Sequence, residues 1–442
     1  MSNKSKIVTP SILPGFMELL PEEQMEFNRM RSIIEEIYQN SGFSPIETPL
    51  IEKNEILLAK GGGETEKQIY GIDSKSKDMS LRFDLTVPLA RYVSQHFSDL
   101  QFPFRRYQIE KVFRGERNQK GRYREFYQSD IDIIGHNSLS PLYDAEIPSI
   151  IYRIFTALGF EAFKIHINNR KILNGLFDYL EINDTAKTLQ ILDKIDKIGL
   201  ENIIKLLLEI GLSSFQIDSI TDFIQIQGTQ VEVIEKLKSL PYINNDIFMS
   251  GLNELEELNN MVQAFGVPLS HYVFDLKIAR GLDYYTGTVY ETYLDDFKNI
   301  GSVCSGGRYD NLAEYYTKES LPGVGISIGL TRLFYQLNAA NFTNCNKKKH
   351  SKLLIIPMSQ NENLEAAKIA SSLRQNKISC EVYMDNSKFK KKMNYANKIG
   401  IPFVLILGED EINSSNYTLK DMKDGIQEKY NLEDLISLLL KK

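Results

Sequence analysis

The run Arg280-Gly281-Leu282-Asp283-Tyr284-Tyr285-Thr286-Gly287-Thr288-Val289-Tyr290-Glu291 couples a cation, acids, paired tyrosines and two glycines. A little later, Ser305-Gly306-Gly307-Arg308-Tyr309-Asp310 brings together a similar set. Guanidinium groups and polar rings suit charged, planar substrates, and glycines let backbone pass close to them. Each segment alone is equally well read as a turn in a β-rich core.

Other motifs are weaker. Gly325-Ile326-Ser327-Ile328-Gly329 matches the GxSxG nucleophile elbow. An esterase also needs an acid and then a histidine later in the chain. The one later histidine is His350, and neither Asp nor Glu lies between it and Ser327. Glycines at 323, 325 and 329 are better explained by backbone passing close to something flat or bulky. Gly61-Gly62-Gly63 is followed by Glu64 rather than Lys-Ser/Thr, so there is no phosphate-binding P-loop. A nucleotide would have to be held by arginines and a sheet face. No HExxH occurs, and Cys304, Cys345 and Cys380 form no CxxC pair. Neither a metal cage nor a disulfide framework is expected.

The elements that would position these residues can be read from periodicity. Residues 21–40 predict a helix, with Met30, Ile33, Ile34, Ile37 and Tyr38 at helical spacing and Ser41-Gly42 as a stop. The prolines of residues 42–51 forbid a central strand and suggest an edge or interface. Residues 105–114 and 126–134 predict two strands. Arg106, Gln108, Glu110 and Arg114 share one face with Gln128, Asp130 and Asp132, and Tyr107, Ile109, Phe113, Tyr127, Ile131 and Ile133 occupy the other. The loop between carries Arg117, Lys120, Arg122 and Arg124. The bland alternative is a solvated hairpin with a polar outer face. Residues 171–265 read as an inserted helical module. Strands return at 272–274, 288–293 and 323–330, the last leading into a helix near Thr331. Residues 341–351 are polar and Lys-rich, and read as a linker. Beyond them, strands at 353–356, 378–384 and 403–407 alternate with helices at 363–376 and 388–399, before a final helix near Asn431. This alternation predicts a small α/β domain with a largely parallel sheet.

The 442 residues are 42% hydrophobic and 25% charged, ordinary for a multidomain globular chain. No run approaches the ~20 apolar residues of a membrane span. The N-terminus does not read as a secretory signal, so a cytoplasmic location is expected. The formal charge of −6 gives no general nucleic-acid signal. It is unevenly spread, however: residues 346–442 hold 17 Lys/Arg and 12 Asp/Glu. Lys388, Lys390, Lys391, Lys392 and Lys398 form a basic patch suited to phosphates, or else a solvated lysine face.

Taken together, the first two segments resemble the two histidine-specific signatures of histidyl-tRNA synthetases, a class II aminoacyl-tRNA synthetase family. The class motifs appear in order. Residues 42–51 resemble motif 1, with Pro49 as its proline. Phe113-Arg114-Gly115-Glu116 through Asp132 resembles motif 2. Residues 322–333 resemble motif 3, with Arg332 as its arginine. LRFDLTVPLAR at 81–91 is a further family string. The similarity spans residues 14–335 and continues in GIPFVLILGEDE at 400–411.

The resemblance implies an α+β catalytic core with a mixed, mainly antiparallel sheet, a helical insertion and a C-terminal α/β anticodon-binding domain. The corresponding segments are 1–170 and 266–340 for the core, 171–265 for the insertion, 341–351 for the linker and 352–442 for the last domain. It also implies a homodimer built partly on motif 1. L-histidine and ATP, with Mg²⁺, would give histidyl-adenylate, and the histidyl group would pass to the 3′ end of tRNA(His).

The resemblance also assigns residues. Arg114 and Arg280 would bracket the α-phosphate. Arg332 and Arg122 would hold the other end of ATP, and Glu116 would contact the adenine or ribose region. Asp84, Thr86 and Gln128 would accept from the substrate amino group. Asp132 and Tyr285 would meet the imidazole nitrogens, and Tyr284 and Tyr309 would complete the pocket. Asp132 is one methylene shorter than the Glu of many relatives. A regulatory subunit of ATP phosphoribosyltransferase and a tRNA-sensing pseudo-synthetase share the fold. Against them stand Arg114, Arg280 and Arg332, all present, and the C-terminal extension.

Overall fold

A computed structural model of the chain describes residues 8–59, 66–73, 78–115, 121, 123–279, 284–340, 342 and 351–441. Contacts divide the chain into two units. One comprises Met1–Leu19 and Phe27–Thr343, the other Leu20–Glu26 and Asn344–Lys442.

The larger unit is built on an eight-stranded sheet. Its strands and those of a small side ribbon are β1 (Ser44–Pro45), β2 (Ile51–Lys53), β3 (Met79–Leu81), β4 (Phe104–Phe113), β5 (Glu125–Ile134), β6 (Phe163–Asn169), β7 (Tyr272–Phe274), β8 (Thr288–Leu294), β9 (Cys304–Tyr309) and β10 (Gly323–Ile328). The order across the large sheet is β1-β4-β5-β10-β9-β8-β6-β7, and β2 pairs with β3 apart from it. The six central strands are antiparallel to one another, while β1 and β7 add as parallel edges. Pro45 has no amide donor, and it lies on the edge strand as its sequence requires.

The alternation of β4 and β5 is set by what each face meets. The odd face packs on the helix Pro21–Asn40. Tyr38 and Tyr107 rings lie 5.7 Å apart, Phe27 and Tyr127 rings 5.3 Å, and the Tyr107 hydroxyl donates to Glu35 at 2.9 Å. The even face is not a solvated outer surface. Arg106 is 0% exposed, Gln108 1%, Asp130 3% and Asp132 6%. Such burial of charge is costly unless the groups are paired or serve a ligand.

Between β6 and β7 the chain forms helices from Arg170–Tyr179 to Asp246–Ala264. Gly175 and Gly251 let the first and last of these approach closely: a Cβ on Gly175 would lie 2.5 Å from the Phe248 backbone nitrogen.

The smaller unit has a five-stranded sheet of β11 (Leu353–Pro357), β12 (Cys380–Val382), β13 (Phe403–Leu407), β14 (Tyr417–Asp421) and β15 (Gln427–Tyr430). Its order is β12-β11-β13-β14-β15. The first three strands are parallel, whereas β14 and β15 extend the sheet antiparallel. The sheet is therefore mixed rather than largely parallel. Gly425, at φ 74°, turns the added hairpin. Helices Asn363–Gln375 and Leu432–Lys441 cover one face through Ala366, Ile369, Leu373, Leu435 and Leu439, and Ala396 of helix Phe389–Lys398 packs with Leu354, Ile356 and Val404 in a second cluster.

Candidate active site

Two cross-strand rungs form the floor of the site. In one, Arg106, Asp132, Gly325 and Gly307 stand side by side on β4, β5, β10 and β9. In the next, Gln108, Asp130, Ser327, Ser305 and Glu291 do the same, reaching β8. Side chains at matching positions share one face of a pleated sheet, so each rung converges on one side.

The first rung supports a carboxylate–tyrosine pocket wall. Arg106 Nη2 lies 2.5 Å from Asp132 Oδ2, and the Tyr309 hydroxyl donates to Asp132 Oδ1 at 2.9 Å. Arg106 Nε and Nη1 have no partner among the described residues. Tyr284 stacks on Tyr309 at 5.0 Å and meets Tyr285 edge-on at 5.2 Å. The Tyr284 hydroxyl is buried and unpartnered among the described residues. Two glycines make room. A Cβ on Gly325 would lie 2.2 Å from Asp132 Oδ1, and one on Gly307 2.9 Å from the Tyr285 ring. Burial pushes the Asp132 carboxyl up, and Arg106 and Tyr309 pull it back. Burial raises Tyr284, Tyr285 and Tyr309, with Asp132 adding to each, so the phenols stay neutral donors.

Beside this pocket, Asp84 precedes the helix Thr86–Gln95 and accepts from the Val87 amide at 3.0 Å. Burial raises its pKa, and hydrogen bonds and Arg114 oppose the rise. Asp130 is pushed up to about 7 by burial, with Arg106 and the Ser327 hydroxyl holding it down.

An adjoining cleft of about 330 Å³ is lined by Arg114, Phe126, Gln128, Ser327 and Arg332, with Cys304 and neighbouring backbone. Arg114 Nε donates to the Phe83 carbonyl at 2.9 Å, and its guanidinium lies over the Phe126 ring. Arg332 Nη2 donates to the Ile300 carbonyl. Each guanidinium is thus anchored by a backbone carbonyl.

Arg114, Gln128 and Arg332 thus share the cleft, and Asp132, Tyr284, Tyr285 and Tyr309 the pocket. Arg280, Glu116 and Arg122 lie outside the described residues, as does Arg117 of the basic loop. Ser327 is no esterase nucleophile: its hydroxyl accepts from Gln128 Nε2 at 2.9 Å, and it stands across the sheet from Asp130. Arg308 lies beneath the site, forked onto Asp144 at 2.6–3.0 Å and bonded to the Leu139 and Ser140 carbonyls. Arg106 had no role in the sequence reading, although strand parity already placed it on the polar face.

The histidyl-tRNA synthetase family model matches residues 15–333, and an anticodon-binding-domain model matches residues 352–442. The chain belongs to the histidyl-tRNA synthetase family. It is 57% identical to a histidine--tRNA ligase of Clostridium tetani, covering 99% of both chains. It is 49% identical to one of Finegoldia magna, covering 98% of this chain and 100% of that one. Histidyl-tRNA synthetase from Nostoc superimposes with a TM-score of 0.90 at 39% identity, over 99% of this chain and 100% of that one. The family's α+β architecture, with a separate C-terminal sheet domain, is that described above. A Bacillus halodurans ATP phosphoribosyltransferase regulatory subunit/histidyl-tRNA synthetase shares the fold at a TM-score of 0.76 and 21% identity, over 92% of this chain and 100% of that one.

Proposed function

We propose that the chain is a histidine--tRNA ligase that forms histidyl-adenylate and pyrophosphate from histidine and ATP, then transfers the histidyl group to the 3′ end of tRNA(His). The observation that carries this reading is the shared sheet face: a carboxylate–tyrosine cluster next to a cleft presenting two guanidinium groups.

The chemistry follows from the residues. In-line attack by the histidine carboxylate on the α-phosphate concentrates charge on equatorial and leaving oxygens, which guanidinium donors stabilise. Arg114, with Arg280, takes the α-phosphate. Arg332 and Arg122 hold the far end of ATP, and Glu116 the adenine or ribose region. Asp84, Thr86 and Gln128 receive the amino group. Asp132 accepts from one imidazole nitrogen and Tyr285 engages the other, with Tyr284 and Tyr309 as walls. A site whose buried polar groups would be left unpaired rejects analogues lacking the ring nitrogens by about 10⁴–10⁵.

Magnesium enters with the nucleotide. No group of three or more His, Cys, Asp or Glu able to hold a metal occurs among the described residues. Arginines rather than carboxylates line the described cleft, so the ion is read as a counter-charge of ATP. Segments 1–170 and 266–340 form the catalytic core, 171–265 the insertion, 341–351 the linker and 352–442 the anticodon-binding domain. The prolines of 42–51 on an exposed sheet edge suit a homodimer contact. Among the described residues no helix is long and apolar enough to cross a membrane, and a role in translation places the enzyme in the cytoplasm.

ATP–pyrophosphate exchange with a panel of amino acids tests the reading. Histidine alone should support exchange, and Arg280→Ala should abolish it in a folded protein. Exchange with no amino acid would leave the regulatory or tRNA-sensing alternatives.

A further inference from the structure

Gln128 carries an asymmetric amide, and only one of its two ends can accept from an ammonium group. Its Nε2 donates to Ser327 Oγ at 2.9 Å, and its Oε1 is buried with no partner among the described residues. Ser327 stands directly across the sheet from Asp130 of β5 on the same face, and Asp130 Oδ1 is buried with no partner among the described residues, an acceptor open to the serine hydroxyl. At pH 8 the Asp130 carboxylate is ionised and can only accept, so the serine hydroxyl that accepts from Gln128 turns its proton to Asp130. The serine oxygen is then free only to accept.

We infer that Asp130 and Ser327 are positioning residues for the substrate amino group: they form a relay that locks the Gln128 amide with its oxygen toward the cleft. The inference rests on the reading that Gln128 meets the histidine amino group. The relay sets a direction as well as a contact. If residue 130 were a donor, Ser327 would accept from it and donate to Gln128 Oε1. The amide would then turn its NH₂ toward the substrate ammonium, donor against donor. Asp130→Asn replaces an obligate acceptor by an amide that can present either end to Ser327, so the direction of the chain is no longer fixed. Ser327→Ala merely frees the amide to rotate.

The test is steady-state ATP–pyrophosphate exchange at pH 8 on Gln128→Ala, Ser327→Ala, Asp130→Asn and the Ser327→Ala/Asp130→Asn double variant of the full chain. Inhibition is measured in parallel by histidinol, which keeps the ammonium, and by imidazolepropionate, which lacks it. Ser327→Ala should raise the histidine KM about tenfold, the loss of roughly one charge-assisted hydrogen bond, with the ATP KM within twofold. Asp130→Asn should raise it by up to as much, and the double variant no more than Ser327→Ala alone. Histidinol should weaken in parallel, while imidazolepropionate should be unmoved. A merely structural role would move both inhibitors together. If Gln128→Ala leaves the histidine KM unchanged, the placement of the amino group is wrong. If Gln128→Ala raises it and Ser327→Ala does not, the relay is wrong. Should Asp130→Asn fail to fold, Ser327→Ala with the two inhibitors still decides.

Discussion

Arg106 and Asp132 face each other across β4 and β5, Nη2 to Oδ2 at 2.5 Å, with the arginine side chain wholly out of solvent. The pair fixes the carboxylate that we assign to the imidazole. Removing one member of a buried pair leaves the other charge uncompensated, at a cost of about 3–5 kcal/mol, whereas replacing both by apolar groups can be neutral. Arg106→Met should therefore destabilise the larger unit by about that amount in urea unfolding. Arg106→Met/Asp132→Leu should recover most of the loss while histidine-dependent exchange stays absent. Equal stability of the single and double variants would show that the pair is not coupled.

Gly325 faces the same carboxylate. A methyl there would meet Asp132 Oδ1 at 2.2 Å and the Ile131 carbonyl at 2.5 Å. The backbone oxygen cannot swing away as a side chain could. Gly325→Ala should raise the histidine KM by at least tenfold, because the carboxylate is pushed off its Arg106 and Tyr309 partners. Gly329→Ala serves as a control, since its nearest contact is a side-chain carbon at 3.8 Å, and its fold and Tm should be unaffected. Matching KM values for Gly325→Ala and the parent would contradict the placement of Asp132.

Asp130 makes stability depend on pH. Its folded pKa is raised to about 7 from an ordinary carboxylate value, chiefly by burial. The folded state therefore holds a proton that the unfolded chain gives up first, and stability falls as pH rises from about 4 to 7. Facing it are Arg106, Asp84, Asp132 and Ser327, with Cys304, Tyr285 and Tyr38 nearby. Asp84 and Asp132 remain in an Asp130→Asn variant, relieved of one neighbouring charge, so the difference between the two curves reports Asp130 together with its coupling to them. The variant should gain on the parent by up to a few kcal/mol across that window. Parallel curves of unfolding free energy against pH would rule this out.

Much of this was legible because one face of a strand repeats every second residue. Tyr107, Ile109, Ile131 and Ile133 alternate with charges, so β4 and β5 and their shared polar face could be read directly. The partner of Arg106 could not, because strand register depends on the hairpin between, and the pattern is blind to it. The strand Cys304–Tyr309 was hidden by its composition. Its glycines look like a turn, but Gly306 and Gly307 lack side chains because β10, Thr288 and Tyr285 press on them. Arg308 looked like part of a substrate signature, and nothing local reveals a partner 164 residues earlier in the chain. The strand Phe163–Asn169 was not expected, although Phe163, Ile165 and Ile167 alternate with Lys164 and His166. In the smaller unit, β14 and β15 carry mostly polar residues on one face and so lacked an apolar run.

The lysine patch separates into two chemistries. Lys388, Lys390, Lys391 and Lys398 are exposed. Lys392 is 4% exposed and donates to the Pro357 carbonyl at 2.6 Å, and burial lowers its pKa. Its spacing to Ala396 and Ile399 places it on the packed face of its helix. If the four exposed lysines meet tRNA phosphates, each contributes about 0.7–0.9 to the slope of log K against log salt. Changing all four to Gln should flatten that slope by about 3, measured by tRNA binding from low to physiological salt, and leave Tm unchanged. Lys392→Ala should do the reverse. It strands a buried carbonyl, costing about 1–3 kcal/mol of stability, and leaves the salt slope as it was. A slope unmoved by the four substitutions would return those lysines to a solvated face.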